Sequence, residues 1–157
     1  MIIISDASPL SALAEIGELE LLHQMYGQIV IPETVRQECC HPHSPGALAP
    51  WFTRTDSWFL VVPDPVPLLP ETGGVDAGEA AAISLAWQHR KDALLIMDDK
   101  DGRKLCDALG LVRTGTAGVL LAAAHAGLVD FESAVTRLQA TTFRLSTAVL
   151  NELRSRL

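Results

Sequence analysis

The chain has 157 residues, 48% of them apolar and 20% charged, and a formal net charge of −7. That balance excludes a disordered tail, a collagen-like repeat and a disulfide-framework protein. No apolar run approaches the roughly 20 residues of a membrane helix. The opening Met1-Ile2-Ile3-Ile4-Ser5-Asp6 lacks the basic region of a signal peptide, and three cysteines suit a reducing cytoplasm. The length predicts one domain over 1–157.

Ile2-Ile3-Ile4 is β-branched and apolar on both faces, which predicts a buried parallel strand. Ser8-Pro9 reads as an N-cap followed by the first helical position, and Gly17 ends that helix. A short helix follows through Leu19, Leu22 and Met25. Gln28 to Ile31 reads as a second strand, and Pro32 opens a helix to Glu38. Seven of the nine prolines fall between positions 42 and 70, so the stretch from about 41 to 71 predicts a loop excursion with short elements, including a strand at 60–62. Helix is predicted from Gly78 to His89, strand from Ala93 to Met97, helix from Gly102 to Leu109 and a brief strand at 111–113. An apolar helix from Thr116 to Ala126 and helices near 131–139 and 146–157 complete the chain. Strands alternating with helices predict an α/β fold on a parallel sheet of four to five strands.

In such folds, ligands bind beyond the carboxyl ends of the strands, where strand order reverses. Two predicted strands end in acid, at Asp6 and at Asp98-Asp99. Glu38 closes a helix, where a negative charge opposes the helix dipole. Asp76 and Glu79 are three apart at a helix start and can face the same way. Carboxylates converging on one cleft repel one another, and a hard divalent cation such as Mg²⁺ or Mn²⁺ removes that conflict. Such ions activate water and stabilise the leaving oxygen of a phosphodiester, so the chemistry points to a metal-dependent nuclease. Each acid also has a local role open to it. Asp6, Asp76 and Glu79 suit helix N-termini, Glu38 suits a solvated surface, and of Asp98, Asp99 and Asp101 one suits a metal while the others suit a turn or cap.

Five segments, taken in order, resemble the PIN-domain family: Ile4-Ser-Asp6-Ala-Ser8-Pro-Leu, Val30-Ile-Pro-Glu-Thr-Val35-Arg-Gln-Glu38, Gly78-Glu79-Ala-Ala-Ala-Ile83-Ser-Leu85-Ala86, Leu95-Ile-Met-Asp98-Asp99 and Thr114-Gly115-Thr116-Ala-Gly118. Within it they are similar to the small prokaryotic branch related to VapC-type toxin ribonucleases. The resemblance implies a three-layer α/β/α sandwich and Mg²⁺- or Mn²⁺-dependent cleavage of RNA. It implies four acids, carried here by Asp6, Glu38, Glu79 and the Asp98-Asp99 pair. Relatives place a threonine two residues before the fourth acid. That makes Asp99 the match and Met97 the departure, with Asp98 the alternative. Ser8 matches a hydroxyl residue supporting the first acid, and Thr116 suits a similar role or a helix cap. For VapC-type relatives the partner is an antitoxin encoded nearby.

Other constellations weigh less. Cys39-Cys40-His41-Pro42-His43 lacks the usual zinc-ligand spacing. Trp51, Trp58 and Trp87 do not interleave with basic residues and suit packing. Lys100, Arg103 and Lys104 lie beside the acids and are the first candidates for phosphate contacts; Arg144, Arg154 and Arg156 could do the same on another protomer. The apolar Thr116–Ala126 helix offers a seam for a homodimer. The charge of −7 predicts weak general affinity for polyanions and a local basic rim around an acidic, metal-binding site.

Overall fold

The computed structural model describes residues 1–157. Five parallel strands form one sheet in the order β3-β2-β1-β4-β5. They are β1 (Ile2–Ser5), β2 (Ile29–Pro32), β3 (Phe59–Val62), β4 (Ala93–Ile96) and β5 (Arg113–Thr114). Nine helices flank them: α1 (Ala7–Glu15), α2 (Glu20–Tyr26), α3 (Glu33–Cys39), α4 (Ala49–Thr53), α5 (Ala77–Gln88), α6 (Lys100–Ala108), α7 (Thr116–His125), α8 (Phe131–Gln139) and α9 (Thr147–Arg154). The result is an α/β/α sandwich, as the strand–helix alternation predicts.

The sheet is built first leftward and then rightward from its centre. The chain runs β1 to β2 to β3, then crosses back to place β4 on the other side of β1. Ile2, Ile3, Ile4 and Ser5 pair with Ala93, Leu94, Leu95 and Ile96. Strand order therefore reverses between β1 and β4, and a crevice opens beyond their carboxyl ends. Ile4, Leu95, Ile96 and Met97 are fully buried, as both-face coverage of a parallel sheet requires. Leu10, Leu13, Ile29, Ile31, Val35 and Ile83 join them in one continuous core. Burying each such side chain stabilises the fold by about 1.5–3 kcal/mol.

Several expectations shift. Helix α1 begins two residues earlier than Ser8-Pro9 suggested: Asp6 occupies the N-cap position, with ψ 168°, and Ser8 lies inside the first turn. Proline at the third helical position is tolerated because first-turn N–H groups have no helical partner anyway. Helix α6 starts at Lys100 instead of Gly102, since the Asp99 carboxylate caps it by accepting from Gly102 N at 2.8 Å. The last strand is 113–114, paired with Leu95 and Ile96, instead of 111–113. The proline-rich stretch is loop carrying short elements. It holds α4, β3 and a 3₁₀ turn at Pro70–Gly74. Its prolines flank β3 without interrupting it. The Thr34 N–H donates to Asp64 at 3.0 Å and the Leu69 N–H donates to Ser84 Oγ at 2.8 Å, which tie the stretch to the head of α3 and the body of α5.

Helix α7, expected as a dimer seam, turns its apolar face to the chain's own core. Its Thr116, Ala117, Val119, Leu120, Leu121 and Ala123 are buried within the chain. The helix is apolar because it is internal, packed on α1, α2, α8 and α9.

Candidate active site

The strand reversal brings the predicted acids to one end of the sheet. Asp6 leaves β1 at the crevice, is 3% exposed, and its backbone N–H donates to Ile96 O of the neighbouring strand at 3.1 Å. Glu38 comes from the last turn of α3. Its Oε1 accepts from Gly78 N at 3.1 Å, so a carboxylate from one helix rests on the N-terminus of another, α5. The helix dipole that disfavours Glu38 on α3 is offset by the favourable pole of α5. Only glycine allows this approach: a Cβ at residue 78 would stand 2.6 Å from Glu38 Cδ.

Asp76 caps α5, accepting from Glu79 N at 2.9 Å. Glu79 itself is 8% exposed. The two consecutive aspartates after β4 part company. Asp98 turns toward α7, where Oδ1 accepts from Thr116 N at 2.8 Å and Oδ2 from the Thr116 hydroxyl at 2.6 Å. Gly115 leaves room for it, since a Cβ there would lie 2.7 Å from Asp98 Oδ1. Asp99 is exposed and spends one oxygen on the cap of α6. Asp98 acts electrostatically on Asp6, whereas Asp99 acts on Glu79.

The cluster is under electrostatic load. Burial pushes the Asp6 carboxyl up to about 7; the Ala7 N–H opposes this, and the charges of Asp76, Glu38 and Asp98 add to it. Burial also pushes Glu79 up to about 8, helped by a hydrogen bond to Asp76 and by the charges of Asp76, Asp99 and Asp6. Glu38 is raised by burial and by Asp76. Asp98 is raised by burial, with Thr116 and Arg103 pulling the other way. None of these six acids has an ion-pair partner: the chain's ion pairs all lie elsewhere. The donors are all hard carboxylate oxygens without a bonded cation, which suits a hard divalent cation. As placed, no three acidic, His or Cys side chains close to a formed ligand cage.

A cleft of about 910 Å³ is bordered by Ser8, Glu79, Asp98 and Asp99, whereas Asp6 and Asp76 do not line it. Arg103 lines it, whereas Lys100 and Lys104 are exposed outside it. Thr116 is fully buried behind Asp98. A smaller pocket of about 320 Å³ reaches Glu38 from the other side, and Ser8 and Phe143 border both. Residues of β5 and the start of α7 also line the main cleft, and its last wall comes from the segment joining α8 to α9, and from α9 itself. Sequence reasoning did not place that wall on this chain's own site. The one available signal was the isolated Phe143-Arg144 pair between two helices.

The other constellations stay apart from the cleft. Trp58 stacks on His23 and Phe59 at 5.5 and 4.1 Å, and Trp51 meets it edge-on at 5.9 Å. Trp87 lies under Arg90. These tryptophans pack on their neighbours, as expected. Cys39 and Cys106 are buried and unpaired. Burial pushes their thiols up to about 12 and about 11, which keeps them protonated at neutral pH.

No curated protein and no solved structure matches the chain. A family model described as PIN domain matches residues 2–157, nearly its whole length. The parallel sheet, its reversal at β1 and β4, and the acids gathered there accord with that match, and the chain belongs to the PIN-domain family.

Proposed function

We propose that this protein is a metal-dependent ribonuclease whose site is Asp6, Glu38, Glu79 and Asp99. PIN domains are usually nucleases, so the family supports hydrolysis of nucleic acid as the general activity. The observation that carries the finer reading is the carboxylate cluster itself: Asp6 and Glu79 are buried at the strand reversal, raised to about 7 and 8, and face other acids with no cation between them. Such an arrangement is costly unless a cation is supplied.

Asp6, Glu38, Glu79 and Asp99 are the residues that would hold Mg²⁺ or Mn²⁺. When bound, such an ion neutralises the carboxylates and lowers the pKa of water so that it attacks a phosphodiester. Asp99 is the better fourth acid because one of its oxygens is uncommitted and its charge acts on Glu79. Both oxygens of Asp98 are engaged by Thr116, which gives Asp98 the task of fixing the turn after β4. Gly78 and the α5 N-terminus hold Glu38 in place. Ser8, on the first turn of α1, borders the cleft beside Asp6.

The test is cleavage of labelled RNA in Mn²⁺ together with calorimetric titration of the ion. The reading predicts both. Absence of cutting and of ion binding in the folded protein would overturn it. The resemblance to VapC-type toxins extends the proposal to a toxin restrained by an antitoxin encoded beside it. Expression should then be toxic, and co-expression of the upstream neighbour should relieve that toxicity.

A further inference from the structure

The arginines of this chain divide cleanly by what they touch. Arg36, Arg113, Arg137 and Arg154 are each bound to a carboxylate. Arg54 and Arg90 lie over the rings of Trp51 and Trp87, at 4.7 and 4.2 Å. The other three, Arg103, Arg144 and Arg156, line the acidic cleft, as the paired Arg113 also does, and no protein group bonds the guanidinium groups of these three. Arg103 Nε is the chain's one buried side-chain polar atom without a partner. A buried charged donor left unmade is costly, so a ligand that drew this guanidinium into a bond would relieve that cost. Three cations with no bonded protein anion, around a floor of carboxylates, call for a ligand with several negative charges spaced along it.

The wall between Arg144 and the acids adds a second feature. Phe143 is partly buried against the core and borders both the main cleft and the pocket that reaches Glu38. Leu145 continues the apolar strip. Guanidinium groups beside an aromatic face are the usual means of holding a single strand, with phosphates on the cations and a base on the ring. Glu79 lies in this cleft, 8% exposed, where a strand can enter and a convex duplex cannot.

We propose that Arg103, Arg144 and Arg156, with Phe143, form a track for single-stranded nucleic acid along the α8–α9 wall. This rests on the nuclease reading for its purpose, since the track would lead a phosphodiester over the carboxylates. It differs from the sequence expectation in two ways. Arg103 lines the cleft where Lys100 and Lys104 do not, and Arg144 and Arg156 serve the cleft of their own chain.

The probe is a fluorescein-labelled single-stranded RNA of about twelve nucleotides, within the usual footprint of such sites. Anisotropy is read across a salt series with Ca²⁺ as the ion, and strand integrity is checked on a gel. Replacing Arg103, Arg144 and Arg156 together by Ala should weaken binding and reduce the log–log salt slope by about 2, at roughly 0.7 for each phosphate no longer neutralised. Arg154→Ala, on α9 but paired with Glu132, should leave the slope unchanged. Phe143→Leu should weaken binding at least about five-fold with the slope retained, since stacking carries no counterion release. Circular dichroism and melting check that each variant is folded. An unchanged slope in the triple variant overturns the proposal, and so does a hairpin duplex bound as tightly as the single strand. Wild-type cutting in Mn²⁺ with these variants binding normally would remove the track and leave the nuclease reading. The predicted binding losses in a protein that cuts nothing would do the reverse.

Discussion

Asp98 accepts both the backbone N–H and the hydroxyl of Thr116, at 2.8 and 2.6 Å. The pair joins the end of β4 to the start of α7 and decides which way two consecutive aspartates point. Thr116 is fully buried, so its hydroxyl has no water to fall back on. Thr116→Val removes the donor and leaves Asp98 partly unsatisfied. The expected loss is about 1–3 kcal/mol of unfolding free energy in urea, and Thr116→Ser should restore most of it.

The raised carboxyls set a pH dependence. In the unfolded chain Asp6 and Glu79 ionise near pH 4. In the folded chain they hold their protons to about 7 and 8. Between those limits the folded state binds protons that the unfolded state has released, so their contribution is full below pH 4 and is lost as pH rises toward 8. In EDTA, the melting temperature should be lower at pH 8.5 than at pH 5. Asp6→Asn should shrink that difference and raise the melting temperature at pH 8.5. A metal-free protein that melts higher at pH 8.5 would contradict the account of the cluster.

Divalent ions should reverse that loss. At pH 8.5, an ion at 100 times its dissociation constant stabilises by about 2.7 kcal/mol. For a chain of this size that is a rise of roughly 5–10 °C in melting temperature. Differential scanning calorimetry with and without Mn²⁺ reads it directly, and Glu79→Gln should remove most of the rise.

Gly78→Ala tests how Glu38 is held. Alanine favours helix by about 1 kcal/mol over glycine, so propensity alone predicts a gain. The Cβ would instead collide with the Glu38 carboxylate and displace it. Ion affinity or activity should fall roughly 10–100-fold, the usual effect of disturbing the groups that orient a ligand. A variant with wild-type ion affinity would show that Glu38 is not held for this purpose.

Much of this was legible in the sequence, for identifiable reasons. The Ile2–Ile4 run and the apolar residues before Asp98 mark central strands because both faces of the sheet are covered. Glu38 stood out because it opposed its own helix dipole, and the structure explains it through the N-terminus of α5. The division of labour between Asp98 and Asp99 was not legible. Neighbouring side chains at a strand end turn toward whichever helix N-terminus lies beside them, and α6 and α7 are placed by the whole sheet. The start of α1 differs from the local signal of Ser8-Pro9 because Asp6 is fixed by its non-local bond to Ile96. Arg144 and Arg156 belong to the cleft only because the α8–α9 wall folds back over it.

The most direct test of the central claim is cleavage of end-labelled RNA by the wild type and by Asp6→Asn, each with Mn²⁺ and with EDTA. The account predicts cutting by the wild type only with the ion, and at least a ~100-fold loss in a folded Asp6→Asn variant. Cutting that survives EDTA or the substitution, or a folded wild type that cuts nothing with Mn²⁺, would contradict it.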